Sequence, residues 1–253
     1  MGFLSSLFSK EKAAERALAR HEKKLTNMYV QPAERQYIVQ ELRDIGTPEA
    51  VRVLLKRFND NAHNATVDIE EKELVYDTLV RMARRADTDV VNQVKSHILA
   101  TDVKINWPMR VLKDLLPLDE YVTFTIEVLK TCNTEWSHTS EKKHELMLNV
   151  IELKLSEPEL SEQIARFLSD ENETIRFLAV DAAFVQEPTE ALAEALILRL
   201  VEEDSLRVSR KLHDKLLERK DLAVAADRIA EIDAQLTGEV GVHKDGHLYR
   251  RRS

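Results

Sequence analysis

Along most of this chain, apolar positions recur at the spacing of one helix face. In "ERQYIVQELRDI", residues 34–45, they fall at Tyr37, Ile38, Leu42 and Ile45, close to the 3.6-residue period of an amphipathic helix. In "PEAVRVLLKRF", residues 48–58, they fall at Val51, Leu54, Leu55 and Phe58. Between the two runs stands Gly46-Thr47-Pro48-Glu49. Glycine closes a helix in the left-handed conformation at no steric cost. Threonine then caps the next helix, proline fits its first position, and glutamate suits the positive end of its dipole. The stretch predicts two antiparallel helices joined by a very short turn. Neither could bury its stripe alone.

The same grammar returns. Pro117 in "LPLDEYV", Pro158 in "SEPELSEQI" and Pro188 in "QEPTEALAEAL" each end one amphipathic run and open another. Asp87 or Thr88 can cap a helix without proline, and Asp221 can do the same in "LERKDLAVAADRI". Turns at 48, 88, 117, 158, 188 and 221 are spaced 40, 29, 41, 30 and 33 residues apart. That recurrence predicts an all-α fold of about six two-helix units, an α-solenoid. The pairs are 33–45/48–59, 69–84/88–99, 106–115/118–131, 140–155/158–169, 173–185/189–202 and 205–218/221–235. Two linkers are long, 59–68 and 131–142, and long loops on a rigid repeat scaffold are where binding residues often sit.

Glycine usage narrows the function classes. The five glycines are Gly2, Gly46, Gly238, Gly241 and Gly246, so none lies between Thr47 and Thr237. No phosphate-cradling loop of the Walker or dinucleotide type can form there, and the Asn-Gly and Asp-Gly turns of hairpins are missing as well. A single cysteine, Cys132, excludes an internal disulfide framework and suits a reducing cytosol. A cytoplasmic location is therefore expected. No apolar run approaches the ~20 residues that span a bilayer, and the N-terminus does not read as a secretory signal.

Two units carry a family resemblance. "ELRDIGTPEAVRVLLKRF" resembles a HEAT repeat, and "DENETIRFLAVDAAFVQEPTEALAEALILRL" is similar to another, with Ile175-Arg176 and Ala179-Val180 in the first-helix pattern. The resemblance implies an armadillo-like rod of paired helices whose second helices line a concave, protein-binding face. The function it implies is a non-enzymatic adaptor or scaffold. Exposed second-helix residues Arg52, Lys56, Lys95, Tyr121 and Arg199, together with Trp136 in the loop "NTEWSHTS", are the candidate partner-binding residues.

The resemblance also raises enzyme alternatives. HEAT-like DNA glycosylases excise alkylated bases on a basic face with aromatic residues and a carboxylate. Trp107, Arg110, Asp114 and Trp136 are the residues this chain offers. HEAT-type di-iron hydroxylases use four His-Glu pairs, and only His21-Glu22 and His144-Glu145 occur here. Cys132, His138 and His144 lack a fourth ligand for zinc, and no residue points to a tetrapyrrole. No catalytic, cofactor or metal site is assigned.

The ends differ in charge from the body. Residues 1–30 hold six Lys/Arg against three Glu, and the last ten residues hold four against one. With a net charge of −8, the body between is near −14 once these two +3 ends are removed. That balance argues against a nucleic-acid partner and for basic protein partners. The domains expected are an amphipathic helix over 1–30, the solenoid over 31–236, and a basic tail or small hairpin over 237–253. Phe3, Leu4, Leu7 and Phe8 group at helical spacing in the first segment. They either cap the first repeat or touch a membrane surface, with the lysines toward anionic lipid, which would make the chain a peripheral membrane adaptor.

Overall fold

The computed structural model describes residues 2–85, 88–138, 140–187, 189–219, 222–236 and 240–251, with side chains in the first helix described from Lys12 onward. The described residues form helices joined by short turns, and one small hairpin. In order these are α1 (Gly2–Leu25), α2 (Pro32–Ile45), α3 (Pro48–Lys56), a 3-10 turn (Arg57–Asn59), α4 (Ala65–Arg84), α5 (Val90–Ala100) and α6 (Asn106–Leu115). They continue with α7 (Leu118–Thr131), α8 (Glu141–Leu153), α9 (Pro158–Phe167), α10 (Glu173–Val185), α11 (Glu190–Glu202), α12 (Leu206–Glu218) and α13 (Ile229–Gln235). The hairpin pairs β1 (Val240–Val242) with β2 (Leu248–Arg250).

The Gly46 turn forms as its residues dictate. Gly46 sits at φ 66° and its N–H bonds the Leu42 carbonyl, while the Thr47 side chain accepts the Ala50 N–H. Pro48 opens α3. The α2 stripe differs slightly from the predicted one. Ile38, Val39 and Leu42 are buried, whereas Tyr37 and Ile45 face solvent. The cap of α5 is Asp89, whose side chain accepts the Asn92 N–H. Thr88 instead donates its hydroxyl to the Gly46 carbonyl. Asp87, Pro188 and Asp221, expected at other turns, lie outside the described residues.

The chain divides into two compact units, Met1–Phe124 and Thr125–Ser253. In the first, α2 packs on α4 and α4 on α6, while α1 packs on α3 and α3 on α5. In the second, α8 packs on α10 and α10 on α12, with α9 on α11. In each unit a helix therefore meets the helix two further along the chain as well as its immediate neighbour.

One device recurs in both units. A basic residue in the first turn of a helix donates back to carbonyls of the preceding loop and forward to an acid one pair later. Arg35 reaches the Asn27, Met28 and Val30 carbonyls and the Glu71 carboxylate. Lys143 reaches the Glu135 carbonyl at 3.1 Å and Asp170 at 2.7 Å. Arg176 reaches the Asp170 and Glu171 carbonyls, and Glu203 at 2.8 Å. Arg57 and Lys72 complete the buried network of the first unit through Glu71 and Asp68. Breaking one partner of such a buried pair costs about 3–5 kcal/mol.

The last pair departs from expectation. A helix was predicted over 221–235, but 222–228 are non-helical and only α13 forms. The hairpin explains the difference. The Val224 N–H bonds the Gly246 carbonyl at 2.9 Å, and the His247 ring nitrogen meets the Leu222 carbonyl. Gly246, at φ 86°, closes the hairpin turn, and an added Cβ would meet the Val224 carbonyl at 2.4 Å. A segment that serves the hairpin with its backbone groups cannot also complete a helix.

Candidate interaction surface

The loop after α7 and the linker before α10 are built onto each other. "NTEWSH", residues 133–138, holds no helical stripe, and "SDENE", residues 169–173, ends in Asn172, which caps α10 by accepting the Thr174 N–H. The Trp136 N–H donates to the Glu171 carboxylate at 2.7 Å, and the Glu171 N–H returns to the Thr134 carbonyl at 3.0 Å. Arg166 holds the Cys132 carbonyl at 3.1 Å, and Asn172 donates to the Ser140 hydroxyl at 3.2 Å. Lys143 fixes the Glu135 carbonyl from beneath. The loop backbone is thus tied at several points. Its main side chain is not, for Trp136 stays 58% exposed. Its ring meets that of His138, edge to face at 4.3 Å.

The support under this loop is electrostatic. Asp170 and Lys143 form an ion pair with side chains 0% and 7% exposed. Burial pushes the Asp170 carboxyl above the usual range, outweighing the Lys143 ammonium and the Asn172 N–H. Arg176, paired with Glu203 and Asp204, lies next in line.

The other expected binding residues fall into three groups. Arg52 is exposed and donates to Glu49 and Gln93; Lys56 is exposed and donates to Glu22. Lys95 is half-buried above the Phe124 ring. These three share the packed pair α3 and α5. Tyr121 and Arg199 are corrected. Tyr121 is 1% exposed because it lies on the broad buried side of α7 with Val122, Phe124, Thr125, Ile126, Val128 and Leu129, while Glu120, Thr123, Glu127 and Lys130 form the exposed stripe. The Arg199 side chain is only 12% exposed and pairs with Glu203. The side chains of Phe3, Leu4, Leu7 and Phe8 lie outside the described residues.

The residues weighed for other chemistry are placed as follows. Trp107 stacks on Phe58 with Arg110 over its ring, and the Tyr76 hydroxyl donates to Asp114, which raises the Tyr76 pKa. Asp114 is therefore engaged by a phenol. Among the described residues no group of three or more His, Cys, Asp and Glu side chains is arranged to hold a metal. None of the described helices is long and apolar enough to cross a membrane.

One feature escaped the sequence reading. On α12, Arg207 and Lys211 lie over the Phe177 ring of α10, while Lys215 and, just past the end of α12, Arg219 lie over Phe184. Asp181 pairs with both Lys211 and Lys215. Burial holds the Lys211 ammonium below its ordinary range, against the pull of Asp181. The four-residue spacing of these cations was the available signal. A cleft of about 450 Å³ also opens between α11 and residues 223–228, lined by Glu190, Glu194, Ile197, Val224 and Arg228.

Comparison of the chain with protein-family models, curated proteins and solved structures returns no match.

Proposed function

We propose that this chain is a non-enzymatic protein-binding adaptor or scaffold. Its framework is a HEAT-like α-solenoid of about six helical hairpins. Two features support that framework: the helix-to-second-neighbour packing within each unit, and the repeated basic residue that stitches a loop to the next pair. Single Trp136 carries the binding function. An indole left 58% exposed on a backbone pinned by Glu171 and Lys143 is a preorganised anchor. Tryptophan is among the residues that dominate interface energetics, and a rigid anchor loses little entropy on binding. Arg52, Lys56 and Lys95 form a second, charged contact region. The partner is a protein, and the setting is the cytoplasm.

The test is affinity capture from lysate with the wild-type chain and with Trp136→Ala, matched for folding by circular dichroism. A protein retained by the wild type and lost by the variant supports the reading. Equal capture by both removes Trp136 from the function.

A second reading has its own observation. The side chains of Lys12, Ala13, Ala14, Glu15 and Arg16 are all exposed, more than a full turn of helix, whereas Ala17, Leu18, His21, Glu22 and Leu25 are half-buried or buried. Among the side chains described in α1, those of residues 17–25 include the ones that pack, and those of residues 12–16 face solvent. A helix carrying Lys10, Lys12 and Arg16 with an apolar quartet suits an anionic membrane surface. Co-sedimentation with anionic vesicles checks this. The full chain binds and a chain lacking residues 1–11, which keeps residues 17–25, does not. Failure of the full chain to bind ends the membrane reading.

A further inference from the structure

This protein repeatedly lays its own cations over its own aromatic rings. Lys95 covers Phe124, Arg110 covers both Tyr76 and Trp107, and Arg166 covers Phe167. Phe177 and Phe184 are each covered by two cations from α12 and the residue that follows it. The exposed tyrosines have other company: Tyr37 bonds Glu41, Tyr29 meets His63, and Tyr249 meets His243. Trp136 likewise meets a histidine, His138, edge to face. Indole is the best cation acceptor among the aromatic side chains, yet among the described residues no cation lies over it.

Two acids belong to the same loop and linker: Glu135 precedes Trp136 in sequence and Glu171 accepts its backbone N–H; both are exposed, and no described cation pairs with either carboxylate. Other surface acids are engaged, as half-buried Glu22 is by Lys56, half-buried Glu73 by Arg110 and exposed Glu159 by Lys130. The Glu171 carboxylate is moreover fixed in place, because one oxygen accepts the Trp136 N–H at 2.7 Å. An exposed indole and a carboxylate positioned at its backbone N–H, on a chain of net charge −8, lack only the cation.

We propose that the Trp136 loop receives an arginine side chain of the partner, its guanidinium stacked on the indole and hydrogen-bonded to Glu171. This rests on the adaptor reading and specifies the chemistry of its partner, a basic segment presenting arginine. A planar guanidinium can stack on the ring while its edge donates to a carboxylate, which an ammonium does less well.

The test uses the full chain labelled with 15N and follows the two indole N–H signals, assigned with Trp136→Phe. The probes are acetyl-Arg-Arg-Arg-amide and its citrulline counterpart, which keeps the planar shape but replaces one charged NH2 group by a neutral carbonyl oxygen. The arginine peptide shifts the Trp136 signal saturably and leaves the Trp107 signal in place. Citrulline binds about two- to fivefold more weakly, the factor expected for an exposed cation–π contact. Glu171→Gln, which keeps an acceptor for the Trp136 N–H but removes the charge, weakens the arginine peptide by a similar factor. Equal shifts with the two peptides, or an unchanged affinity in Glu171→Gln, overturn the arginine site. Capture of a partner that depends on Trp136, with no arginine preference, leaves the adaptor reading standing and removes only this one. Capture independent of Trp136 removes the arginine site and Trp136 as the anchor, and failure to capture any protein removes the adaptor reading itself.

Discussion

The two tryptophans show how differently this chain treats the same side chain. Trp107, near the start of α6, stacks on Phe58 with ring centroids 5.9 Å apart and planes 2° from parallel. Tyr76 lies tilted against it, and the Arg110 guanidinium sits 5.0 Å from its centroid. Trp136 has a tethered backbone and a ring that is 58% exposed and meets His138 at 4.3 Å. In the first case the protein has used the aromatic surface and its attraction for cations internally. In the second it has used its hydrogen bonds to hold an exposed surface in place. Stability should therefore depend on Trp107 and binding on Trp136.

The strongest challenge to that contrast is removal of the support beneath Trp136. Lys143→Met leaves Asp170 buried and unpaired and should cost about 3–5 kcal/mol in denaturant unfolding. Replacing Lys143 and Asp170 together by Met and Leu should recover most of the loss. In the recovered variant the Glu135 carbonyl has still lost its tether, so partner binding stays weakened although stability returns.

Next in size is the direct exchange of roles. Trp107→Ala should lower stability by about 2–4 kcal/mol, as other large-to-small changes do in packed sites. Trp136→Ala should stay within about 0.5 kcal/mol of wild type. Chemical denaturation of both variants checks the order, and equal losses would erase the distinction.

A smaller effect is expected at the charged pair on α3. Arg52→Glu with Lys56→Glu reverses two exposed cations whose partners are Glu49, Gln93 and Glu22. Their contribution to binding should be about threefold, as for charges at an interface rim. A change equal to that of Trp136→Ala would move the centre of the interface to α3.

The smallest effect separates two carboxylates by pH. For Asp68, burial alone would raise the pKa, but Lys72, the Ala62 N–H and Arg57 together bring it below its ordinary value. For Asp170, burial wins and the value is raised. A lowered carboxyl contributes stability that is present above the ordinary aspartate range and lost as pH falls through its folded value. A raised one contributes stability present below the unfolded value and lost as pH rises through the folded value. Asp68→Asn should therefore flatten the acid-side loss of stability, and Asp170→Asn should steepen it. Unfolding midpoints between neutral and acid pH would show the two slopes, and the same sign in both variants would refute the assignment.

Much of the helical layout was legible because its signals are local. The Gly46-Thr47-Pro48 turn, the openings at Pro158 and Leu118, and the ends of α6, α10 and α12 need only periodicity and caps. What escaped depends on distant residues. Residues 222–228 read as helix, and their backbone is instead used by a hairpin some twenty residues later. Tyr121 was misplaced because period alone does not show how broad the buried side of α7 is. Trp136 was recognisable as unusual, but its anchor, Glu171, lies 35 residues away in sequence. The loop and the linker each look like ordinary polar connections, and only their meeting makes a presented indole.

The central claim is that Trp136 is the anchor of a protein-binding surface. The most direct measurement is the ratio of dissociation constants for the captured partner with Trp136→Ala and wild type, by titration calorimetry at fixed salt. Loss of a hot-spot anchor of about 2 kcal/mol predicts a ratio of roughly 30 or more with unchanged stability. A ratio below about two would contradict the account.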